Sequence, residues 1–231
     1  MKKAIVYIAA IGAILASCTV TTPITKSIAY KGMYDEKPLT VLLMPPINRS
    51  TNVEAKEYFH STLHVPIANS GYYVIPPFLS MEILKKESAY DSELFLDGSL
   101  SKFGEVFGAD IAVFTIIHKW DKSAIAAQVY VEIEYIFKSI NTNEILYSRR
   151  GDITYSTAVS SGAGGVWGLV ADLAASAIAT ATTKYVDVAR ICNSYTFEDL
   201  PAGKYSLIYN TDGELLAGEK HFTVYLNSNS N

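Results

Sequence analysis

The sequence predicts an α/β (α+β) domain, a mixed β-sheet packed with helices and followed by a small C-terminal β appendage. Three observations carry that prediction. Residues 39–44 and 111–117 are almost unbroken apolar runs, the pattern of strands buried on both faces. Residues 55–67 and 166–189 repeat apolar side chains every three or four positions, the period of a helix with one buried stripe. Residues 127–137 alternate instead: Val129, Val131, Ile133, Tyr135 and Phe137 share one face, and Gln128, Tyr130, Glu132 and Glu134 share the other, so this strand has one wet side.

The N-terminus reads as an address. Lys2 and Lys3 precede an apolar run over residues 4–14, too short to span a bilayer core of roughly 30 Å but suited to a signal peptide. The run ends in Leu15-Ala16-Ser17-Cys18, which resembles the bacterial lipobox. That resemblance implies cleavage between Ser17 and Cys18 and attachment of diacylglycerol and palmitate-type chains at Cys18. The mature chain then has 214 residues and, having lost Lys2 and Lys3, a net charge of −6 in place of −4. Each buried acyl methylene contributes about 0.8 kcal/mol, so two or three chains anchor stably without a basic patch. Thr19, and no Asp, follows the cysteine. By resemblance to enterobacterial sorting this places the protein on the inner leaflet of the outer membrane, facing the periplasm.

Residues 18–37, rich in Thr, Ser and Lys, read as the lipidated N-terminus and a tether, after a signal peptide at 1–17. The α/β domain is expected over 38–194 and the β appendage over 195–231. The first strand, 39–44, stops at Pro45-Pro46. Thr51-Asn52-Val53-Glu54 has the capping-box form that opens a helix, and Ser70-Gly71 closes it. A strand at 72–75 ends at Pro76-Pro77, and helices follow near 81–87 and 100–107, the latter stopped by Gly108. After the central strand at 111–117 come the strand at 127–137, a turn at Asn141-Thr142-Asn143 and a partner strand at 144–155. Gly162-Ala163-Gly164-Gly165 opens one long helix to about residue 192. Its Ala-rich middle invites a transmembrane reading, but Asp172 and the face periodicity favour a core helix. In the tail, strands at 205–209 and 222–226 flank a turn at 211–213.

The composition excludes several functions. With 49% hydrophobic and 18% charged residues the chain is no disordered protein, and the net charge of −4 argues against a nucleic-acid surface. Two cysteines build no disulfide scaffold, and Cys192, at the end of an apolar stripe, reads as buried and inert. His60 and His64 share a helix face, but Ser61 stands where a zincin has its Glu. His118 and His221 have no nearby third ligand, and the glycine loop at 162–165 lacks the lysine and spacing of a phosphate loop. Glu132 and Glu134 read as a solvated strand face. No catalytic, cofactor or metal residue is assigned, and the protein is expected not to be an enzyme.

Val41-Leu42-Leu43-Met44-Pro45-Pro46-Ile47-Asn48-Arg49-Ser50 is followed by Glu54-Ala55, by residues 58–63, by Pro66-Ile67-Ala68 and by residues 71–76. Together these resemble the neisserial-type lipoprotein family, a domain-of-unknown-function family of bacterial envelope proteins. The family is in turn similar to the curli secretion-channel subunit and the exopolysaccharide-export lipoproteins. The resemblance covers residues 39–192. It implies a fold like the N-terminal domain of the Tol-Pal propeller protein, a periplasmic location and a ring-forming role in export. The strand pair 125–138 and 144–156 carries Glu132, Glu134, Lys138, Arg149, Arg150 and Asp152, a poor lipid-facing band, so no self-made pore is expected.

The resulting expectation is a structural or accessory subunit of an envelope transport, secretion or assembly system. Its partners are the bilayer, through acylated Cys18, and other proteins or further copies of itself. The alternative is a periplasmic ligand- or glycan-binding module. Cys18→Ala is expected to abolish incorporation of labelled palmitate and to leave the precursor at its uncleaved mass on a denaturing gel.

Overall fold

The computed structural model describes residues 23–160 and 165–227; Ser17 and Cys18, where cleavage and lipid attachment are expected, and most of the glycine loop lie outside them. Seven strands form one mixed sheet: β1 (Thr40–Leu43), β2 (Ile47–Asn48), β3 (Tyr73–Val74), β4 (Ile111–Ser123), β5 (Gln128–Ser139), β6 (Ile145–Ser156) and β7 (His221–Leu226). Their order is β3-β1-β4-β5-β6-β7, with β2 also on β4. Helices α1 (Lys26–Ala29) and α2 (Lys31–Glu36) precede the sheet. Between strands come α3 (Ala55–Asn69), α4 (Pro77–Lys86) and α5 (Ser101–Phe107), then α6 (Gly165–Thr182) and α7 (Tyr185–Phe197).

The unalternating runs become strands with a helix layer on each side. Val41, Leu43, Ile111, Val113 and Ile117 join Phe59, Leu63, Val188 and Cys192 in one core, where α3 and α7 lie. Leu42, Met44, Ala112, Phe114 and Ile116 point the opposite way, toward Leu84 of α4 and Phe103 of α5. Asp110 fixes the register of the first parallel pair, its carboxylate accepting the backbone N–H groups of Leu39 and Thr40 at 2.9 Å each. β4 to β6 are antiparallel, and Val131, Ile133, Tyr135 and Phe137 of β5 all enter the first core.

β4 runs past the expected end at Ile117 because of a bulge between Ile117 and Lys119. The extra residue, His118, resets the alternation so that Trp120 again faces the core and packs edge-on to Phe59. The long helix expected up to residue 192 is two helices. Lys184 is extended (φ −73°, ψ 125°) and starts α7, whose first turn bonds back to the Lys184 carbonyl. The capping box at 51–54 does not form. Glu54 caps α3 with no side-chain bond, and Asn52 instead accepts the Glu54 N–H in a local turn.

Two further expectations are corrected. Residues 24–37 are no tether: Tyr30 and Met33 are buried in the main core, and α2 packs along β6. Residues 205–209 form turns and not a strand, because Gly203 and Tyr205 spend their N–H groups on the carbonyls of Ser70 and Gly71. Gly71 has φ +95°, and a side chain there would meet Ser206 backbone at 2.5 Å, so the close docking of this segment requires glycine. β7 joins the sheet edge, parallel to β6, with the Phe222 ring lying over Gly151.

Asn193 of α7, fully buried, accepts a hydrogen bond from the Tyr135 hydroxyl of β5. Its amide nitrogen donates to Phe59 O at 3.3 Å and to Thr62 Oγ1 at 2.9 Å, both on α3. Removing a partner inside such a network leaves buried polar groups unpaired. Asn193→Ala is expected to lower unfolding stability by about 2–4 kcal/mol in urea denaturation, and Tyr135→Phe by about 1 kcal/mol.

Candidate functional site

The segment after α7 runs back over the ends of α3 and α7 and holds the N-terminal helices. Lys26 N donates to Leu215 O at 2.8 Å and Ala217 N to Ile24 O at 2.9 Å, around a bridge between Thr25 and Leu216. Asp212, buried, accepts from the Tyr34 hydroxyl at 3.0 Å and from Ala202 N at 2.8 Å. Asp199 accepts from the Tyr30 hydroxyl and from Gly218 N. Burial, reinforced by these carboxylates, pushes the Tyr30 and Tyr34 phenols well above their ordinary pKa, so both remain donors.

Between this segment and the helices lie two adjoining clefts, of about 390 and 380 Å³. Lys26 lines both. Its side chain is nine-tenths buried, yet its only ion pair, to Asp199 Oδ1, spans 4.0 Å, and its ammonium makes no hydrogen bond among the described residues. Arg149 lines the second cleft. Its guanidinium donates to Thr196 O at 2.7 Å and to Glu219 O at 3.1 Å, and lies 4.3 Å from the Phe222 ring centroid. A cation on the last carbonyls of α7 also complements the helix dipole.

The wet face of β4–β7 is a strip of paired charges. Glu134 Oε2 meets His118 Nε2 at 2.8 Å, Glu132 pairs with Arg150, and Asp152 takes His221 Nε2 at 2.8 Å and the Tyr130 hydroxyl at 3.1 Å. The bulge at His118 puts that imidazole over Glu134. Each of the two strand glutamates is therefore engaged by a side chain of a neighbouring strand, an arrangement that holds the strands together.

Two polar residues of α6, Ser176 and Thr180, face inward: Ser176 Oγ accepts Val159 N at 2.9 Å, and the Thr180 and Thr157 hydroxyls share a hydrogen bond. Leu173 and Ile178 are each 65% exposed. Lys122 ties the end of α6 to the β4–β5 hairpin by donating to Thr183 O at 2.8 Å, and the tip of that hairpin carries Ile125, 97% exposed. Among the described residues no helix is long and apolar enough to cross a membrane.

Of the residues singled out in the sequence, Cys192 is fully buried, its thiol pushed up by burial, which makes it a core side chain and no nucleophile. His60 is buried and His64 half-buried on α3, and no group of three or more His, Cys, Asp or Glu among the described residues is gathered to hold a metal. Sequence reasoning missed Lys26, Arg149, Asp199 and Asp212. The signal available was the apolar spacing of Ala29, Tyr30, Met33 and Tyr34 within a segment read as a tether.

A protein-family model described as Putative lipoprotein GNA1162-like matches residues 28–207. The putative lipoprotein NMB1124/NMB1162 of Neisseria meningitidis serogroup B is 25% identical over 123 residues, 53% of this chain and 56% of the relative. The match thus spans little more than half of that relative's length. Among solved structures, lipoprotein GNA1162 from Neisseria meningitidis is 19% identical, over 63% of this chain and 100% of its own, with a TM-score of 0.47. The LpoB C-terminal domain from Escherichia coli is 17% identical over 54% and 95%, with a TM-score of 0.34. A PelC dodecamer from Paraburkholderia phytofirmans gives 12% over 65% and 84%, and 0.34.

Burial lowers the pKa of His60 below its ordinary 6.5, against the pull of Glu57. The unfolded chain therefore binds this proton before the folded one does, and stability falls as pH drops below about 6.5. His60→Gln is expected to flatten the slope of melting temperature between about pH 7 and 5, as read by calorimetry.

Proposed function

Because this chain belongs to the GNA1162-like lipoprotein family, we propose that it is a lipid-anchored accessory subunit of an envelope transport, secretion or assembly system. It acts by contact and not by catalysis. The lipid on Cys18 holds it at the inner leaflet of the outer membrane, and the periplasmic domain joins further copies of itself. The observation that carries this reading is α6, which turns Ser176 and Thr180 inward and offers Leu173 and Ile178 to solvent. Isolated exposed apolar residues are ordinary, but two large ones on a helix whose Ser176 and Thr180 are turned inward make a surface suited to a partner.

The second reading, a ligand-binding module, draws on Lys26, which lines both clefts and whose ammonium has no hydrogen-bond partner among the described residues. The two readings separate cleanly. Light scattering on the acylated protein in mild detergent is expected to give a discrete multimer, and Leu173→Glu with Ile178→Glu is expected to return it to one-chain mass. A monomer at concentrations well above the micromolar range overturns the homo-oligomer. A melting shift with acidic sugars or amino acids, lost in Lys26→Met, would favour the second reading instead.

A further inference from the structure

We propose that the cleft lined by both Lys26 and Arg149 takes the α-amino-carboxylate group of a free amino acid, its carboxylate on the two cations and its ammonium on Glu198. This gives the ligand-binding reading above a ligand class and rests on that reading.

Three charged groups lining this cleft of about 380 Å³ are not spent inside the protein. The first is the Lys26 ammonium, on a side chain nine-tenths buried, 4.0 Å from Asp199 Oδ1 and without a hydrogen bond among the described residues. The second is Arg149 Nη2. The Arg149 side chain is buried and held by its other two nitrogens, Nε on Glu219 O and Nη1 on Thr196 O. Nη2 is thereby placed with no hydrogen bond of its own among the described residues. The third is the exposed Glu198, whose carboxylate makes neither a hydrogen bond nor an ion pair among them.

Asp199, the fourth charge of the cleft, is already engaged. Its two oxygens accept from the Tyr30 hydroxyl and from Gly218 N. A Cβ on residue 218 would lie 2.9 Å from Arg149 Nη2 and 3.2 Å from Asp199 Oδ2, so Gly218 keeps the space beside the guanidinium open. A guanidinium edge and an ammonium, both held by packing, are the donors that a carboxylate accepts most strongly. A polyanion fits less well, because Asp199 and Glu198 give the cleft as many negative groups as positive ones. A zwitterion meets both signs, and its ammonium goes to the acid that has no partner. Lys26 and Glu198 also line the adjoining cleft of about 390 Å³, beside Ser194 and Ser206, which offers the ligand's side chain a polar space.

The test is a calorimetric and melting titration of the full-length protein in mild detergent with the free amino acids, then with the N-acetyl and amide derivatives of any that bind. At least one free amino acid is expected to bind, and each of its derivatives to bind tenfold more weakly or worse. Lys26→Met is expected to weaken the free form at least tenfold. Glu198→Gln, at an exposed position, is expected to weaken the free amino acid and to leave the N-acetyl derivative, which has no ammonium, unchanged. An N-acetyl derivative bound as tightly as the free amino acid overturns the proposal and leaves a carboxylate-binding module. Failure of every free amino acid while an acidic sugar still binds also overturns the proposal alone. Failure of both classes overturns the ligand-binding reading as well.

Discussion

The fold depends on one buried carboxamide. Asn193 is surrounded by apolar side chains, and its three hydrogen bonds join β5, α3 and α7 at a single point. Hydrophobic burial alone would let α3 and α7 slide along the sheet, since Phe59, Leu63, Val188 and Cys192 offer no direction. A polar group that loses its partners on any slip fixes one arrangement. With α7 held there, its last turn meets Arg149 and Tyr147, which both donate to Thr196 O. The chain then leaves the helix where Asp199 can reach Tyr30.

That exit point sets both ends of the molecule. Asp199 and Asp212 sit on the returning segment and each engages a tyrosine of the N-terminal helices. The charge-assisted bonds of these carboxylates are made to phenols and backbone N–H groups, so little buried charge is left unpaired at that corner. Lys26 is held there by its 4.0 Å ion pair to Asp199. At the other end, the Ser176 and Thr180 hydroxyls of α6 bond to the segment after β6, Lys122 of the hairpin reaches Thr183, and Leu173 and Ile178 are exposed.

Much of the sheet was legible in the residues. β1, β4, β5 and β6 follow from apolar runs and alternation, and α3 and α5 from periodicity and closing glycines, because these signals are local. The bulge at His118 was not, since it interrupts the alternation by which a strand is recognised. The break at Lys184 leaves no Gly or Pro behind. α1 and α2 carry only the short apolar spacing of Ala29, Tyr30, Met33 and Tyr34, and two of those tyrosines are held by Asp199 and Asp212 far along the chain. The clefts were illegible for the same reason: their walls come from four separate segments.

The interlock between residues 24–26 and 215–217 also governs the order of events as the protein forms. The helices that begin the domain lack their bonds to Asp199, Asp212, Leu215 and Ala217 until the segment after α7 arrives, and β6 has a bare edge until β7 pairs with it. Contacts this distant in sequence are slow to close, because the chain entropy is lost before they form. A chain that stalls before residue 215 would keep a loose corner and an open strand edge, a mark by which an envelope protease could tell it from the finished molecule.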